Sequence, residues 1–462
     1  MMSDNSHRDI APGHIVKPPA PRACKIIVAL VLMLAFALSV RRLLPLLFAG
    51  FISVDEGYNP YVYDWGVTDF LINFEGGFVR RGVVGQLLYE LCRSLSIPPL
   101  RIIYPLCLTA YIAVLLAFVL LFRRRGFCFW IPLIMFLCGY WKGFVHKDFI
   151  LFGIMLFTLW VASRPLTPWG FAGLCALCVL TLLMHEAYIF WGVPVTTLVI
   201  AGRPNQLSRL HPGQLPIQHT RQQVKWAAVI YPTLAVATCA LLSFAKGTPD
   251  TALSIAQSWH SLFPDLIPAE PTATVESVGW TLREAVRHHL QLNFCGNFDL
   301  HFFSLPKWML QLLIFIGASY VALNMLLFFR LGSTNFTERH RVATFGCYLG
   351  LIICMLPMFI ILSNDYERLW QYLFMALFGT VLTVGAGRLA QLLPDWWLTV
   401  TAGIVRGIDR VLPPNPWVTG ALMTLLTALP WQDKLVALMY QSPLLSLLLN
   451  RFTLAFFGGE AP

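Results

Sequence analysis

The chain has 462 residues, of which 57% are hydrophobic and 12% charged, with 15 Trp and 34 Phe. Together with a mean hydropathy of +0.67, this excludes a soluble fold and points to an all-α polytopic membrane protein. The net charge of +10 is then read as basic cytoplasmic loops and contact with anionic headgroups, with no nucleic-acid partner.

In chain order, residues 1–23 are polar and Pro-rich and read as a cytoplasmic tail. The first apolar segment, 24–47, has no small-residue cleavage site after it and is expected to be a retained helix. Arg41 and Arg42 lie about 16 residues beyond Lys25, roughly 24 Å up a helix, which puts them near the far interface. Asp55 and Glu56 follow at the water boundary, where a carboxylate is either a solvated helix end or a proton acceptor. They open a large loop, 52–101, rich in aromatic residues. That loop contains the run Phe74-Glu75-Gly76-Gly77-Phe78-Val79-Arg80-Arg81-Gly82. An interfacial helix is expected after Gly82, with Val84, Leu87, Leu88 and Leu91 on one side.

Further apolar segments lie near 102–122, 127–141, 150–163, 168–184, 187–202, 226–245, 308–329, 343–362 and 370–390. With the first, they give about ten expected transmembrane helices, and ten to twelve if the segments at 396–408, 417–429 and 437–449 include spans. Residues 24–390 are read as one transmembrane domain. Residues 391–462 are read as interfacial or additional membrane helices. A second large loop, 246–306, carries a helical pattern near 277–292.

Placing the N-terminus in the cytoplasm puts Arg123-Arg124-Arg125, Arg164, the basic stretch 203–225 and Arg330 through Arg341 on the inner side. The alternate loops then collect the mixed motifs on the outer face. These are Asp55-Glu56, Arg80-Arg81, His146-Lys147-Asp148, His185-Glu186 and Asn364-Asp365-Tyr366-Glu367-Arg368. Ionisable groups are costly in such a chain, and grouping them on one face implies a role.

Two fixed guanidinium groups after a Gly-Gly hinge suit a phosphate or pyrophosphate at headgroup level, since guanidinium matches phosphate oxygens in bidentate fashion. The alternative is an anchor for the adjoining helix. His185 and Glu186 sit between two apolar runs with almost no loop, which favours a pair lining a pocket. Asp365 and Arg368 are read as substrate contacts or a structural salt bridge, and His146 and Lys147 as phosphate contacts.

Cys175 and Cys178 form a lone C-x-x-C inside a span, which carries no metal site. Cys295 is the clear outer-loop thiol, and no disulfide framework is evident. His288-His289 lies on the helical pattern and reads as surface. No nucleotide-type Gly loop, H-E-x-x-H motif or internal repeat occurs. Neither a metal nor another cofactor is expected.

The order of these motifs resembles the GT-C superfamily of polyprenyl-dependent glycosyltransferases. The segment from Asn73 to Gly85, the His185-Glu186 pair and Asp365 to Trp370 are similar to motifs of bacterial capsule and O-antigen cluster proteins. The resemblance covers residues 24–390. It implies a multi-pass protein of the bacterial cytoplasmic (inner) membrane that transfers sugar, with inversion, from a polyprenyl-phosphate donor to a glycan acceptor on the outer face. In that superfamily an acid follows the first span. Asp55 and Glu56 stand there, Asp55 being preferred, with Asp64 and Asp69 as further carboxylates. A repeat-unit polymerase, a lipid-linked oligosaccharide flippase and a non-catalytic assembly subunit remain alternatives. Transport would need polar residues continuing through the membrane, and the clean span interiors count against it.

Overall fold

The computed structural model describes residues 59–124, 145–202, 218–244, 247–280, 297–300, 303–329, 338–362 and 366–415, with a few isolated positions beyond them. The described chain is helical apart from one short antiparallel hairpin, β1 (Asn297–Leu300) with β2 (Phe303–Pro306). Expected features at Arg41, Arg42, Asp55, Glu56, His288, His289, Cys295 and Asp365, the apolar segments 24–47 and 127–141, and nearly everything after 415 lie outside the described residues.

Among the described residues, three helices are long and apolar enough to cross a bilayer: Leu100–Leu121, Gln222–Phe244 and Glu338–Ile360. They belong to α4 (Leu100–Arg124), α8 (Gln218–Phe244) and α12 (Glu338–Pro357, continued by a π turn at Met358–Leu362). A fourth is added if α13 (Tyr366–Val384) and α14 (Ala386–Leu392) form one broken span. Four shorter apolar helices accompany them, namely α5 (Asp148–Ala162), α6 (Pro168–Met184), α7 (Tyr188–Ala201) and the Leu312–Asn324 stretch of α11 (Lys307–Phe329). At 1.5 Å per residue, the 15 residues of α5 reach only about 22 Å.

Burial sorts these helices. α5 packs against α4, α6, α7 and α13, and its Phe149, Phe152, Met155 and Leu159 are fully buried. An apolar helix packed against four neighbours belongs inside the bundle, and α5 is exposed mainly at Phe157 and Trp160 in its second half. α13 meets it closely, because Gly379 leaves room for Met155, whose methyl would lie 2.7 Å from an added Cβ. By contrast, α4 and α8 expose Leu106, Ile112, Leu116, Val229, Val236 and Leu241, the surface expected of helices at a lipid boundary.

The expected segment 370–390 is interrupted. At Gly385 (φ 92) the chain turns by 99°. A left-handed residue costs glycine nothing, so the bend occurs there. Next comes α15 (Asp395–Val411), which packs against α12.

The two large loops fold together at one end of the bundle. The first supplies α1 (Pro60–Tyr63), α2 (Trp65–Asp69) and α3 (Gly82–Leu95). The second supplies α9 (Pro249–Leu262) and the turn α10 (Ala273–Glu276). Trp259 Nε1 donates to the Leu71 carbonyl at 2.7 Å, Asn73 Nδ2 to Ser258 Oγ at 2.9 Å, and the Thr68 and Thr274 hydroxyls lie 2.7 Å apart. The pattern expected near 277–292 begins as one 3-10 turn, Ser277–Gly279, and most of residues 281–292 lie outside the described ones.

α3 is amphipathic in two senses. Gly85, Leu88, Tyr89 and Cys92 are buried, whereas Leu87, Leu91 and Leu95 form an exposed apolar ridge. The ridge divides the expected apolar side, because Leu88 turns inward while Leu87 and Leu91 stay outside.

Candidate functional site

The segment from Asn73 to Gly85 is shaped by close approaches. A Cβ on Gly85 would come 1.8 Å from the Ile72 carbonyl oxygen, and one on Gly82 would meet the Phe74 ring at 2.3 Å. Gly77 is left-handed (φ 114), as its place in the tight turn before the arginines requires. These constraints deliver Arg81 as the residue capping α3, itself left-handed at φ 66. A non-glycine residue there is strained and persists only where its surroundings hold it.

The surroundings do so. Arg81 Nε donates to Glu186 Oε2 at 2.9 Å, and Nη2 donates to Oε1 at 2.6 Å. The Arg81 carbonyl accepts from Lys147 Nζ at 3.3 Å. Lys147 is almost fully buried. Its Nζ also donates to the Asp69 carbonyl at 2.8 Å, pairs with Asp69 Oδ2 at 3.1 Å and lies 5.5 Å from the Phe70 ring centroid. The other carboxylate oxygen of Asp69 stands 3.7 Å from Arg81 Nη1, without a hydrogen-bond partner among the described residues.

A second pair adjoins the first. Arg368 donates from Nε and Nη2 to the two oxygens of Asp148, each at 2.9 Å. Tyr372 Oη donates to Asp148 Oδ1 at 2.6 Å and accepts from Arg368 Nη2 at 3.0 Å. Tyr372 stacks on Trp191, with ring centroids 5.1 Å apart, so an aromatic layer underlies the charged groups.

Burial and charge set the protonation states. Burial acts to raise the Asp69 carboxyl, but Lys147 and Arg81 outweigh it and hold Asp69 below its ordinary value. Glu186 is held well below the usual carboxylate range, its burial overcome by the hydrogen-bonded Arg81 guanidinium. His185 is pushed down to about 4, chiefly by burial and then by Arg81. It is neutral near pH 7. Its Nδ1 accepts from the Ala187 amide at 3.2 Å, which leaves the proton on Nε2. His185 therefore presents a hydrogen-bond donor and has no free basic nitrogen.

Of the residues singled out in the sequence, Arg80, Arg81, Lys147, His185, Glu186 and Arg368 come together at this end of the bundle. The first two come from the first loop, Lys147 from the start of α5, the His185-Glu186 pair from the α6–α7 turn and Arg368 from α13. His146 adjoins them, its ring 3.0 Å from where a Cβ on Gly66 would sit. Asp55, Glu56 and Asp365 lie outside the described residues.

The arginines differ in what they have left to offer. Arg81 and Arg368 are each engaged by a carboxylate. Arg80 donates from Nη2 to the Ser277 carbonyl at 2.6 Å, while Nη1 stays 4.0 Å from Glu186 and the side chain keeps 27% exposure. Among the described residues, four cations (Arg80, Arg81, Lys147, Arg368) face three carboxylates (Asp69, Asp148, Glu186), one positive charge in excess. Of these cations, Arg80 alone keeps no carboxylate within hydrogen-bond distance among the described residues, and a guanidinium in that state has the geometry to take an anionic oxygen.

Asp64 takes a structural part, its Oδ1 accepting from the Gly66 and Val67 amides as the cap of α2. Tyr372 and the pairing of Asp148 were not expected from sequence. Among the described residues, no group of three or more His, Cys, Asp or Glu side chains could hold a metal ion.

No family model, curated protein or solved structure matches the chain.

Proposed function

We propose that the chain is a membrane-embedded glycosyltransferase that takes a sugar from a polyprenyl-phosphate donor at the end of the bundle where the charged cluster lies, the outer face in the charge-derived topology. The observation that carries this reading is the excess cation at Arg80. It stands at the edge of an ion-paired cluster drawn from four separated segments.

The donor sugar is already activated by its phosphate. The acceptor hydroxyl oxygen bonds to the anomeric carbon as the bond from that carbon to the phosphate oxygen breaks, and the electron pair leaves on the phosphate. Arg80 and the excess charge around it stabilise that phosphate as it gains charge. The acceptor proton passes to a carboxylate, for which Asp55 is our choice over Glu56. His185 donates from Nε2 and orients a substrate oxygen. Glu186 and Asp148 hold Arg81 and Arg368 in place, and Lys147 orders Asp69 and the Arg81 backbone.

One observation favours a purely structural cluster: Arg81 and Arg368 already have carboxylate partners. The experiment separating the two readings is sugar transfer by the purified, reconstituted chain from polyprenyl-phosphate donors. Mass spectrometry of lipid-linked intermediates that accumulate in a deletion strain would supply the donor. Arg80→Ala is expected to lower turnover at least tenfold, with normal membrane insertion, since a charge-assisted hydrogen bond contributes about 1.5–3 kcal/mol. Arg80→Lys should recover part of it, because ammonium keeps the charge without the planar fork. Undiminished transfer by Arg80→Ala would overturn the assignment.

A further inference from the structure

After α14, α15 sorts most of its side chains into three arcs. At about 100° per residue, Trp397, Thr401, Val405 and Ile408 fall on one arc, and these are buried or half-buried against the bundle. Trp396, Val400, Ile404 and Val411 share a second arc and are 66%, 48%, 41% and 85% exposed. Asp395, Thr399, Arg406 and Arg410 occupy the third and are exposed to the side. A helix that only covered a protein core would need one apolar arc. This one carries an exposed apolar arc directly beside the buried one, with charge along the exposed arc's far edge.

Its position is fixed independently. Arg341 donates from Nη1 and Nη2 to the two oxygens of Asp409, each at 2.6 Å, and from Nη2 to Asn324 Oδ1 at 3.0 Å. Trp397 Nε1 donates to the Gly346 carbonyl at 3.0 Å. Just past the helix, Tyr320 Oη donates to the Pro413 carbonyl at 3.0 Å and accepts from the Asn415 amide at 2.8 Å. Arg341 and Gly346 lie within about 12 Å of the first residue of the candidate span Glu338–Ile360, at 1.5 Å per residue. The 99° turn at Gly385 has already taken the chain out of the spanning direction.

We propose that α15 is an interfacial helix whose Trp396-Val400-Ile404-Val411 ridge is seated in the bilayer on the face opposite the charged cluster, with Arg406 and Arg410 at the lipid phosphates. The occupant is a lipid surface for three reasons. The ridge is clamped at the end of a span, where headgroups meet acyl chains. The adjoining arc carries two arginines complementary to anionic headgroups. A four-residue ridge is also narrow beside the roughly 800 Å² per partner of a standard protein interface. This inference is independent of the reaction proposed above, since α15 packs at the opposite end of the bundle from the described residues assigned to that reaction.

The test places the photo-crosslinker benzoylphenylalanine singly at Val400, Ile404, Thr399 and Arg406 of the full chain, reconstituted in vesicles of phosphatidylcholine and phosphatidylglycerol. All four positions face away from the bundle, so folding is not at issue. Irradiation is expected to give lipid adducts at Val400 and Ile404 in at least fivefold higher yield than at Thr399 and Arg406. Crosslinks between two copies from Val400 and Ile404 would make the ridge a dimer interface, and equally low lipid yields at all four sites would leave it in water. Either overturns the proposal. In a parallel measurement, Arg406→Gln combined with Arg410→Gln should reduce the phosphatidylglycerol retained in native mass spectra relative to phosphatidylcholine. An unchanged ratio would remove the arginines from it.

Discussion

Lys147 is the residue with most at stake. A nearly fully buried ammonium costs several kcal/mol in desolvation unless it is paired, and its partners are the Asp69 carboxylate and two backbone carbonyls. Asp69→Asn keeps the shape and removes the charge, so it should destabilise the folded chain by about 3–5 kcal/mol, the cost of breaking a buried pair. Combining Asp69→Asn with Lys147→Met removes the stranded charge and should recover part of that loss. Recovery would be incomplete, because the Asp69 and Arg81 carbonyls lose their donor. Thermal unfolding of the detergent-solubilised chain checks both, and a double variant no more stable than Asp69→Asn alone would show that the pair is not the source. The ionisable members of this cluster were legible in sequence, because a charged group in a chain this apolar must have a partner or a cavity. Which partner each takes was not legible. Arg368 reads as the neutraliser of acids in its own turn, yet its bidentate partner is Asp148, 220 positions away. Tyr372 gave no signal, since a tyrosine in an aromatic-rich helix reads as packing until its hydroxyl is seen on a carboxylate.

Among the elements, the loop that carries Arg80 and Arg81 depends on glycines for two different physical reasons, and these can be separated. Gly85 is needed for space, because a Cβ would meet the Ile72 carbonyl oxygen at 1.8 Å, and backbone on both sides cannot yield. Gly77 is needed for conformation, with φ at 114 and nothing within 4 Å of an added Cβ. Gly85→Ala should therefore displace α3 from the 70–72 stretch, costing more than about 2 kcal/mol in thermal unfolding and abolishing transfer. Gly77→Ala should cost only about 1 kcal/mol and leave most of the transfer intact. Equal effects would mean that the loop is held by something other than this contact. The run of motif residues was visible from sequence, but the helix it packs near was not. α9 nevertheless had its signals: Thr248 as cap, Pro249 in the first turn, and Ala252, Ile255, Ala256 and Trp259 at helical spacing. Among the described residues, the apolar segments coincide with helices to within a few residues at most ends, the N-terminal ends of α8 and α12 lying further out. The break at Gly385 was missed, because one glycine in an apolar run does not disclose a positive φ.

At the scale of the molecule, the polar turns divide between two ends of the bundle, and the division can be followed contact by contact. One end joins Arg81 to Glu186, Lys147 to Asp69 and Arg368 to Asp148. The other joins Arg388 to the Ser163 carbonyl at 3.2 Å, Gly202 to Leu392, and Arg341 to Asp409. These are the two groups of loops that the lysine and arginine count separates, so loop charge and side-chain packing divide the chain in the same way. Contacts within the chain give the two ends and not their compartments, which depend on the membrane. Sidedness is therefore the prediction at this scale. Single cysteines at Ser261 and Glu270, on the loops beside the charged cluster, should react with an impermeant maleimide added to intact cells. Cysteines at Arg123, Arg164 and Arg410 should react only after permeabilisation. Labelling is read against the unsubstituted chain, whose described cysteines are all free thiols buried or half-buried in helices. If both sets react in intact cells, the two ends do not lie on opposite sides of a bilayer. If the pattern is reversed, the charged cluster faces the cytoplasm, and a donor presented on the outer face could not reach Arg80.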